Sequence, residues 1–438
     1  MARQLTRAAL LVIGALHGAN AAAIDLQQAY EAALKNDPVY RAAYYENEGG
    51  KEYANLGEAG LLPSVSASYG YNKNRADIEQ ASGTSQPKYR SRTGSVQLRQ
   101  SILNLEAVAR YKQGVAQTRL SAAQFDARGQ ELVLRVTSAY LDALLAADEL
   151  ALAQAHRDAC IEQRKVNDRL FQHGEGSRTD MIETQARLDV AEADLIDAQD
   201  REVEARNTLA GIVGMPVDVV SGLAAGFKPG PLPDGGYAQW QERALAGNPE
   251  LQAQAYAVEA ARQEINRSRA GHAPRLDFVA SYNANESDTL NTLNQRSTVR
   301  SVGLQLTVPL YAGGQVSAAS RQAVAAHERA QADLQARTDK LLIELRKQYK
   351  AAASGQARIG ALEQAVASGE LLVKATEQSI RGGVRINLDL LNARQQLFGS
   401  QRDLAKARYN YFLSELKLRA AVGTVGAGDV REMAINFR

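Results

Sequence analysis

The sequence of 438 residues has little of what defines several large classes of protein. It contains one cysteine, Cys160, so an intramolecular disulfide cannot form. Beyond residue 23 there is no run of about 18 apolar residues, and no membrane-spanning helix is predicted. The formal net charge is only +2, whereas nucleic-acid binders usually present a strongly basic surface. These absences argue against a disulfide scaffold, a helical membrane protein and a nucleic-acid partner.

Motifs of catalysis and cofactor binding are lacking as well. The histidines that follow residue 23 show no metal-ligand spacing, and neither HExxH nor a GxxxxGK[ST] phosphate loop occurs. The segment GEGSR (174–178) is only superficially similar to a catalytic glycine–serine turn, because no strand is predicted before it. Cys160 is interpreted as a small packing residue of a helix. No enzyme activity, metal site or cofactor is predicted.

Residues 1–23 are typical of a secretory signal. Two arginines precede an apolar run (8–16), and the small residues Ala21 and Ala23 stand before a cleavage site near Ile24. No cysteine follows the apolar run, so a lipid anchor at a new N-terminus is not expected. The chain is therefore expected to be exported to the periplasm, the medium or the outer membrane.

The remainder of the chain repeats its own pattern at a nearly constant spacing. The matched pairs are Pro38 and Pro249, Pro63 and Pro274, Gly174 and Gly383, and Asp180 and Asp389. A constant spacing over so long a span indicates an internal duplication. We expect two halves, 24–215 and 237–424, joined by a linker rich in proline and glycine (216–236) and followed by a C-terminal tail (425–438).

Proline is absent from two long stretches, 88–215 and 310–438. Because proline in a helix interior costs about 3 kcal/mol, these gaps permit very long helices. Val133, Val136 and Tyr140 are spaced by three and four residues, as in a coiled coil. The helices are predicted at 105–171, 317–380, 179–212 and 387–422.

Four segments alternate apolar and polar residues, as strands with one buried face do. They lie at about 62–73, 92–103, 274–284 and 299–310. Tilted strands of about ten residues are long enough to cross a bilayer. Four strands cannot close a membrane barrel, because the smallest known barrels have about eight, so several chains would share one barrel and a trimer would supply twelve strands. A small soluble sheet beneath the helices is the alternative that this pattern leaves open.

Several segments of the sequence resemble the TolC family of outer-membrane efflux and secretion ducts. They are AGLLPSVSASYGY (59–71), its counterpart AGHAPRLDFVASY (270–282), TVPLYAGGQV (307–316) and LAKARYNYFLSELKLRAAVG (404–423). The resemblance spans nearly the whole chain after residue 23. It implies a homotrimer of mixed fold: a β-barrel in the lipid of the outer membrane of a Gram-negative bacterium, with four strands from each chain, continued into the periplasm by a long α-helical coiled-coil barrel.

The resemblance also implies the partners and a gate. The narrow periplasmic end is expected to meet a periplasmic adaptor (membrane fusion) protein and an inner-membrane ABC or proton-driven transporter. Two helical hairpins are expected to close this end. Their tips are expected at 172–179, around Gly174, and at 381–388, around Gly383.

Two positions near the second tip are expected to line the constriction. Asp389 matches the first of two aspartates that ring it in the family, and the second is Asn392 here. The resemblance therefore implies one acidic ring from this motif and weaker cation selectivity than two rings would give, because carboxylate rings attract cations. Without the resemblance, Asp389 would be interpreted as an ordinary solvated residue at the start of a helix.

A lock between the hairpins is implied as well. Arg385 matches the arginine that holds the inner hairpin, and Thr179 and Asp180 match its acceptors on the other hairpin. The tyrosine that completes this lock in the family is replaced by Ile380. One hydrogen bond of the lock is therefore expected to be missing.

The function predicted from these observations is that of a passive exit duct. It would export protein, small molecules or both as the outer-membrane part of a tripartite type I secretion or efflux system, gated at its periplasmic end. The expected lack of a lipid anchor favours type I secretion by analogy with the family. A periplasmic coiled-coil adaptor or structural protein is the alternative, although four strands long enough to cross a bilayer are not typical of adaptors.

Overall fold

The computed structural model describes residues 23–224, 227, 230, 236–287, 295–382 and 384–437. Residues 1–22 of the predicted signal, part of the predicted linker and Gly383 lie outside the described residues. The elements are α1 (Leu26–Asn36), α2 (Pro38–Glu58), β1 (Ser64–Arg75), β2 (Ile78–Gln80), β3 (Gly83–Ser85), β4 (Lys88–Leu103), α3 (Leu105–Gln172), α4 (Arg178–Val213), α5 (Tyr237–Gly247), α6 (Pro249–Arg269), β5 (Arg275–Ser287), β6 (Gln295–Thr307), α7 (Gln315–Arg381), α8 (Asn387–Val422) and α9 (Ala427–Ala434).

The two halves of the chain contain the same elements at nearly the same lengths. Helices α2 and α6 each have 21 residues, α3 and α7 have 68 and 67, and α4 and α8 each have 36. At 1.5 Å per residue, α3 and α7 are each roughly 100 Å long. Among the described residues, no helix combines the length and the apolar character needed to cross a membrane.

Local sequence explains why corresponding helices begin and end alike. Asp37 and Asn248 cap α2 and α6 by accepting hydrogen bonds from backbone N–H groups, and each is followed by a proline at the first helical position. Proline is well placed there, because the first turn needs no N–H donor. Helices α4 and α8 end at Gly214 and Gly423, which have φ of 74° and 83°. Glycine adopts this left-handed conformation without strain.

The main sheet is antiparallel with the strand order β1-β4-β5-β6, so β1 and β6 are its two edges. The strand bounds differ from those expected from the alternating pattern: β1 extends to Arg75, β4 begins at Lys88, β5 extends to Ser287 and β6 covers Gln295–Thr307. The last strand ends before Pro309, whose nitrogen has no hydrogen to donate to a neighbouring strand. The short strands β2 and β3 form a separate ribbon in the connection between β1 and β4.

The strand register gives the sheet one polar and one apolar face. Serine pairs face each other across the polar face, with Oγ–Oγ distances of 2.7 Å for Ser68 and Ser95 and for Ser281 and Ser301. Near the helical end of the polar face, the buried Asp277 accepts from Arg99 and Ser101 and forms an ion pair with Arg275. The apolar face carries exposed residues on all four strands, among them Val65, Tyr69, Val96, Tyr282, Val302 and Leu304.

The largest hydrophobic core lies in the middle of the helical part. It contains the predicted seam residues Val133, Val136 and Tyr140, which are each at most 1% exposed. The hydroxyl of Tyr140 donates to the carbonyl of Ser221 at 2.9 Å. Residues of the predicted linker and tail also pack here, since Leu223 forms an isolated bridge with Phe437. The segment after residue 424 thus includes helix α9 and part of this core, where the sequence pattern indicated only a tail.

Candidate functional site at the hairpin ends

Two helical hairpins end at the same side of the molecule, remote from the sheet. The first turn lies between α3 and α4, where Gly174 has a φ of 76° and its N–H donates to the carbonyl of Phe171. The second lies between α7 and α8, where the N–H of Val384 donates to the carbonyl of Ser379. Gly383, predicted to shape this second turn, lies outside the described residues.

Asp180 and Asp389 occupy equivalent positions, the third residue of α4 and of α8, but their carboxylates have different surroundings. Asp180 forms a capping box with Ser177: its Oδ2 accepts from the Ser177 Oγ at 2.7 Å and from the Ser177 N–H at 3.2 Å. Helix α8 begins after Ile386, which has no side chain able to cap it. Among the described residues, the half-buried Asp389 side chain has no hydrogen-bond or ion-pair partner. Of these two carboxylates, that of Asp389 is the less engaged and the more available to an ion or to another chain.

Asn392, the second predicted constriction residue, links the two hairpins. Its Oδ1 accepts from Nη2 of Arg187 on α4 at 3.0 Å. This hydrogen bond has a neutral acceptor, so Asn392 orients the guanidinium without neutralising its charge.

The predicted lock is not formed within the single chain. Arg385 is exposed and has no hydrogen-bond or ion-pair partner among the described residues. Thr179 is exposed, and Asp180 is engaged by Ser177. An interaction of Arg385 with Thr179 or Asp180 would have to form between chains, and it stays a prediction.

A second contact between the hairpins is a group of uncharged polar side chains, here called the amide cluster: Gln163 and Asn167 on α3, Thr184 on α4 and Asn387 on α8. The side chain of Gln163 donates to Asn387 Oδ1 at 2.7 Å and to Asn167 Oδ1 at 3.2 Å. Asn167 donates to Thr184 Oγ1 at 2.6 Å, and Thr184 donates to the carbonyl of Asp180 at 2.7 Å.

Burial makes the amide cluster energetically significant. Gln163, Asn167 and Thr184 are buried, and Thr184 is fully so. A buried polar group that loses its partner costs about 1–3 kcal/mol. Separating α8 from the first hairpin would break the bonds that Asn387 forms with Gln163 and Thr184, so the cluster favours the packed arrangement of the two hairpins.

Arg394 adds a third link further along α8. Its guanidinium donates to the carbonyl of Ala159 on α3 at 3.2 Å and to the Glu377 carboxylate on α7 at 2.7 Å. The side chain of Arg394 is a quarter exposed, and charge-assisted hydrogen bonds of this kind are stronger than neutral ones. Three helices of both hairpins are therefore joined at this residue.

Two further side chains of α3 lie in the same contact region. Burial raises the pKa of the Cys160 thiol, which packs with Leu188 and Ala191, so Cys160 behaves as the packing residue that was predicted. The imidazole of His156 stacks on Phe398 of α8, with ring centroids 4.7 Å apart. Burial lowers the pKa of His156, and the nearby Asp194 carboxylate offsets this only in part.

The amide cluster was not predicted from the sequence. The feature that could have indicated it is the pair Gln163 and Asn167, which are four residues apart and hence on one face of α3. Polar residues at such seam positions often fix the register of packed helices. The third and fourth members come from other helices, and no sequence pattern brings them to the same point.

The side chains brought together here make contacts between helices. Among residues 23–437, as far as they are described, no group of three or more His, Cys, Asp or Glu side chains is placed to hold a metal ion. Asp389 and the links through Asn392, Arg394 and the amide cluster are all features of a contact between helices.

Comparison with known proteins shows what kind of molecule carries this contact. Residues 29–215 and 240–424 match the model of a family described as outer membrane efflux protein. The chain is 40% identical to the alkaline protease secretion protein AprF of Pseudomonas aeruginosa over 95% of this chain and 88% of the relative. It is 38% identical to the proteases secretion protein PrtF of Dickeya chrysanthemi over 98% of this chain and 94% of the relative.

The fold is similar to that of solved channels. The outer membrane channel CmeC of Campylobacter jejuni superposes with a TM-score of 0.81 over 94% of this chain and 90% of that one, at 16% identity. The predicted family, the function as an outer-membrane exit duct and the location in the outer membrane are confirmed, and so is a largely helical channel fold. The chain belongs to the outer membrane efflux protein family.

Proposed function

We propose that three copies of this chain form one duct, with twelve strands closed into a barrel in the outer membrane. The observation that carries the proposal is the four-stranded sheet itself, which has an exposed apolar face and two open edges, β1 and β6. An edge in lipid leaves backbone N–H and C=O groups unpaired, at a cost of several kcal/mol each. Pairing β1 of one copy with β6 of the next would remove every edge.

The helices also support a trimer, because one of them has an apolar surface that a neighbouring copy would cover. Helix α4 carries exposed apolar side chains at intervals of six to eight residues: Ile182, Val190, Ile196 and Val203. Such a row on a helix normally packs against another helix, and in a trimer the neighbouring copy would cover it. The central helical part would thereby become a closed coiled-coil barrel.

The two halves, 24–215 and 237–424, are proposed to derive from a duplication, with 216–236 as the linker and 425–438 as the tail. The equal lengths of α4 and α8, and of α2 and α6, support this. A chain of two similar halves supplies two hairpins to each third of the tunnel.

We propose that the cargo is a protein, exported by type I secretion. The support is that two relatives are described as secretion proteins for proteases. A periplasmic adaptor and an inner-membrane ABC transporter would then be the partners, with a proton-driven pump and small-molecule cargo as the second possibility. The duct itself would be passive and would catalyse no reaction.

The gate is proposed to lie at the hairpin ends. The amide cluster and Arg394 would hold each second hairpin against the first, and Asp389 from three copies would form one acidic ring. The lock of Arg385 with Thr179 and Asp180 would act between copies. Exposed ion pairs contribute only about 0–1 kcal/mol each, so the buried amide cluster is the stronger element of this closure within a chain.

The proposal is tested by export from a Gram-negative strain that lacks its own duct but retains a protease, an adaptor and an ABC transporter. Expression of this chain should restore protease in the medium, and the purified protein should conduct ions in planar bilayers. Restored export of small toxic compounds without protease secretion would favour the pump alternative. A protein that binds adaptor but neither conducts nor restores export would support the adaptor hypothesis instead.

A further inference from the structure

At one end of the sheet, positive charge is confined to one face. The end is the one remote from the helices, where β1 meets β4. Here the apolar face carries seven exposed basic side chains, called the basic girdle: Lys73, Arg75, Lys88, Arg90, Arg92, Arg296 and Arg300. The register places all seven on the side of Tyr71 and Tyr282.

Side-chain contacts agree with this placement. The Arg92 guanidinium lies over the ring of Tyr71 at 5.8 Å from its centroid, and that of Arg300 lies over Tyr282 at 5.6 Å. Glu286 lies between Arg92 and Arg296, at 4.0 and 3.2 Å. One carboxylate thus stands among seven cations, and the girdle keeps a large positive excess.

The other face at the same height has no such charge. The polar face presents Asn72, Ser91, Thr93, Asn283 and Ser297 there. Charges that served only to solvate the end of the sheet would be expected on both faces. Their restriction to the apolar face indicates a partner on that side.

The apolar face sets the depth at which the girdle lies. Along β4, Arg92 and Ile102 are ten residues apart, roughly 33 Å at about 3.3 Å per residue. A strand tilted by about 40° would span roughly 25 Å with this length, which is the height of the apolar band of outer-membrane barrels. Tyr71 and Tyr282 lie just inside the girdle, where aromatic residues mark the border between apolar chains and headgroups.

We propose that the basic girdle binds the phosphate groups of a phosphorylated glycolipid in the outer leaflet. This rests on the proposed function, which places the apolar face in lipid with the helices in the periplasm. Guanidinium groups match phosphate oxygens in charge and in bidentate geometry. The basic girdle therefore anchors the duct at a fixed height by holding anionic headgroups around its outer rim.

The test compares two quadruple variants of the full chain that remove the same charge. The girdle variant is K73Q/R92Q/R296Q/R300Q. The control, R321Q/K350Q/R358Q/K374Q, changes exposed side chains of α7 that have no partner among the described residues. Each detergent-purified protein is stripped of lipid and titrated with phosphorylated glycolipid, with the same glycolipid after enzymatic removal of its phosphates, and with inorganic phosphate as a competitor.

Wild type and control should bind the phosphorylated glycolipid equally, and the girdle variant at least about tenfold more weakly, since each basic residue near an anionic surface contributes about 1 kcal/mol. Equal binding by the girdle variant, equal binding of the dephosphorylated glycolipid, or no weakening of glycolipid binding by an excess of inorganic phosphate would overturn the proposal.

Oligomeric state and ion conductance are measured on the same preparations. If the girdle variant forms conducting trimers and binds the glycolipid as wild type does, the role of the basic girdle is refuted and the proposed function is not. A wild type that is a non-conducting monomer would refute the proposed function.

Discussion

Nη2 of Arg187 on α4 donates to Oδ1 of Asn392 on α8 at 3.0 Å, and this bond joins residues 205 positions apart. The acceptor is an uncharged amide at a position where the resemblance implied an aspartate. The guanidinium charge of Arg187 is therefore oriented but not neutralised. The charge of Arg187 therefore determines whether a carboxylate at residue 392 would change the ion selectivity.

Asn392→Asp should create an ion pair with Arg187 and leave cation selectivity in planar bilayers nearly unchanged, because the guanidinium neutralises the new carboxylate. The variant should also conduct less, since a charge-assisted hydrogen bond holds the hairpins together more strongly. The double variant Arg187→Gln with Asn392→Asp should instead increase cation selectivity. A selectivity increase in the single variant as large as in the double would show that Arg187 does not face residue 392 in the assembled duct.

Asp389→Asn should reduce cation selectivity several-fold, because it removes an unpaired carboxylate from each copy and a charge about 4 Å from an ion contributes about 1 kcal/mol even in water. Asp180→Asn is the matched control, since Asp180 is the third residue of the equivalent helix but lies outside the proposed acidic ring. Reversal potentials in asymmetric salt provide the measurement. Equal effects of the two substitutions would place the acidic ring elsewhere.

Asn387→Ala should raise the open probability of single channels, because it removes the α8 member of the amide cluster and leaves Gln163 without its 2.7 Å acceptor. The expected cost to the packed state is about 1–3 kcal/mol per copy. Gln396→Ala is the control, an exposed amide of α8 whose side chain has no partner among the described residues. Identical channel records for both variants would exclude the cluster from the gate.

His156 should make stability depend on pH. Its pKa is lowered in the folded state, mainly by burial, so below about pH 6.5 the unfolded chain binds the proton more readily and stability falls as pH falls. The contribution is at most about 1.4 kcal/mol per pH unit. His156→Phe keeps an aromatic ring against Phe398 and should flatten the dependence, whereas His272→Gln, at an exposed site, should not. Thermal unfolding at pH 7.5 and 5.5 would check this, and equal pH dependence in all three proteins would contradict it.

Long helices were predictable from this sequence because their limits are set locally. Proline gaps permitted α3 and α7, and capping residues such as Asp37 and Asn248 mark where helices start. The alternation in Ser64–Arg75 likewise indicates a strand with two unlike faces. The bounds of the other strands were less well predicted, since pairing with neighbours extends β4 back to Lys88, where the sequence itself does not alternate clearly.

The candidate site was predicted only in part. Asp389 and Asn392 were found through resemblance, but their different environments depend on Ile386 and Arg187, which no local pattern relates to them. The amide cluster contains residues of three helices, which lie up to 224 positions apart in the sequence. Contacts of that kind follow from how hairpins pack, and packing is decided by the whole helical part.

We propose that one chain forms a third of a channel. The most direct test is the number of copies in the detergent-purified particle, determined by light scattering with the detergent contribution subtracted. We expect three copies in every particle. A particle of one copy that stays in solution after the detergent is removed would contradict this proposal.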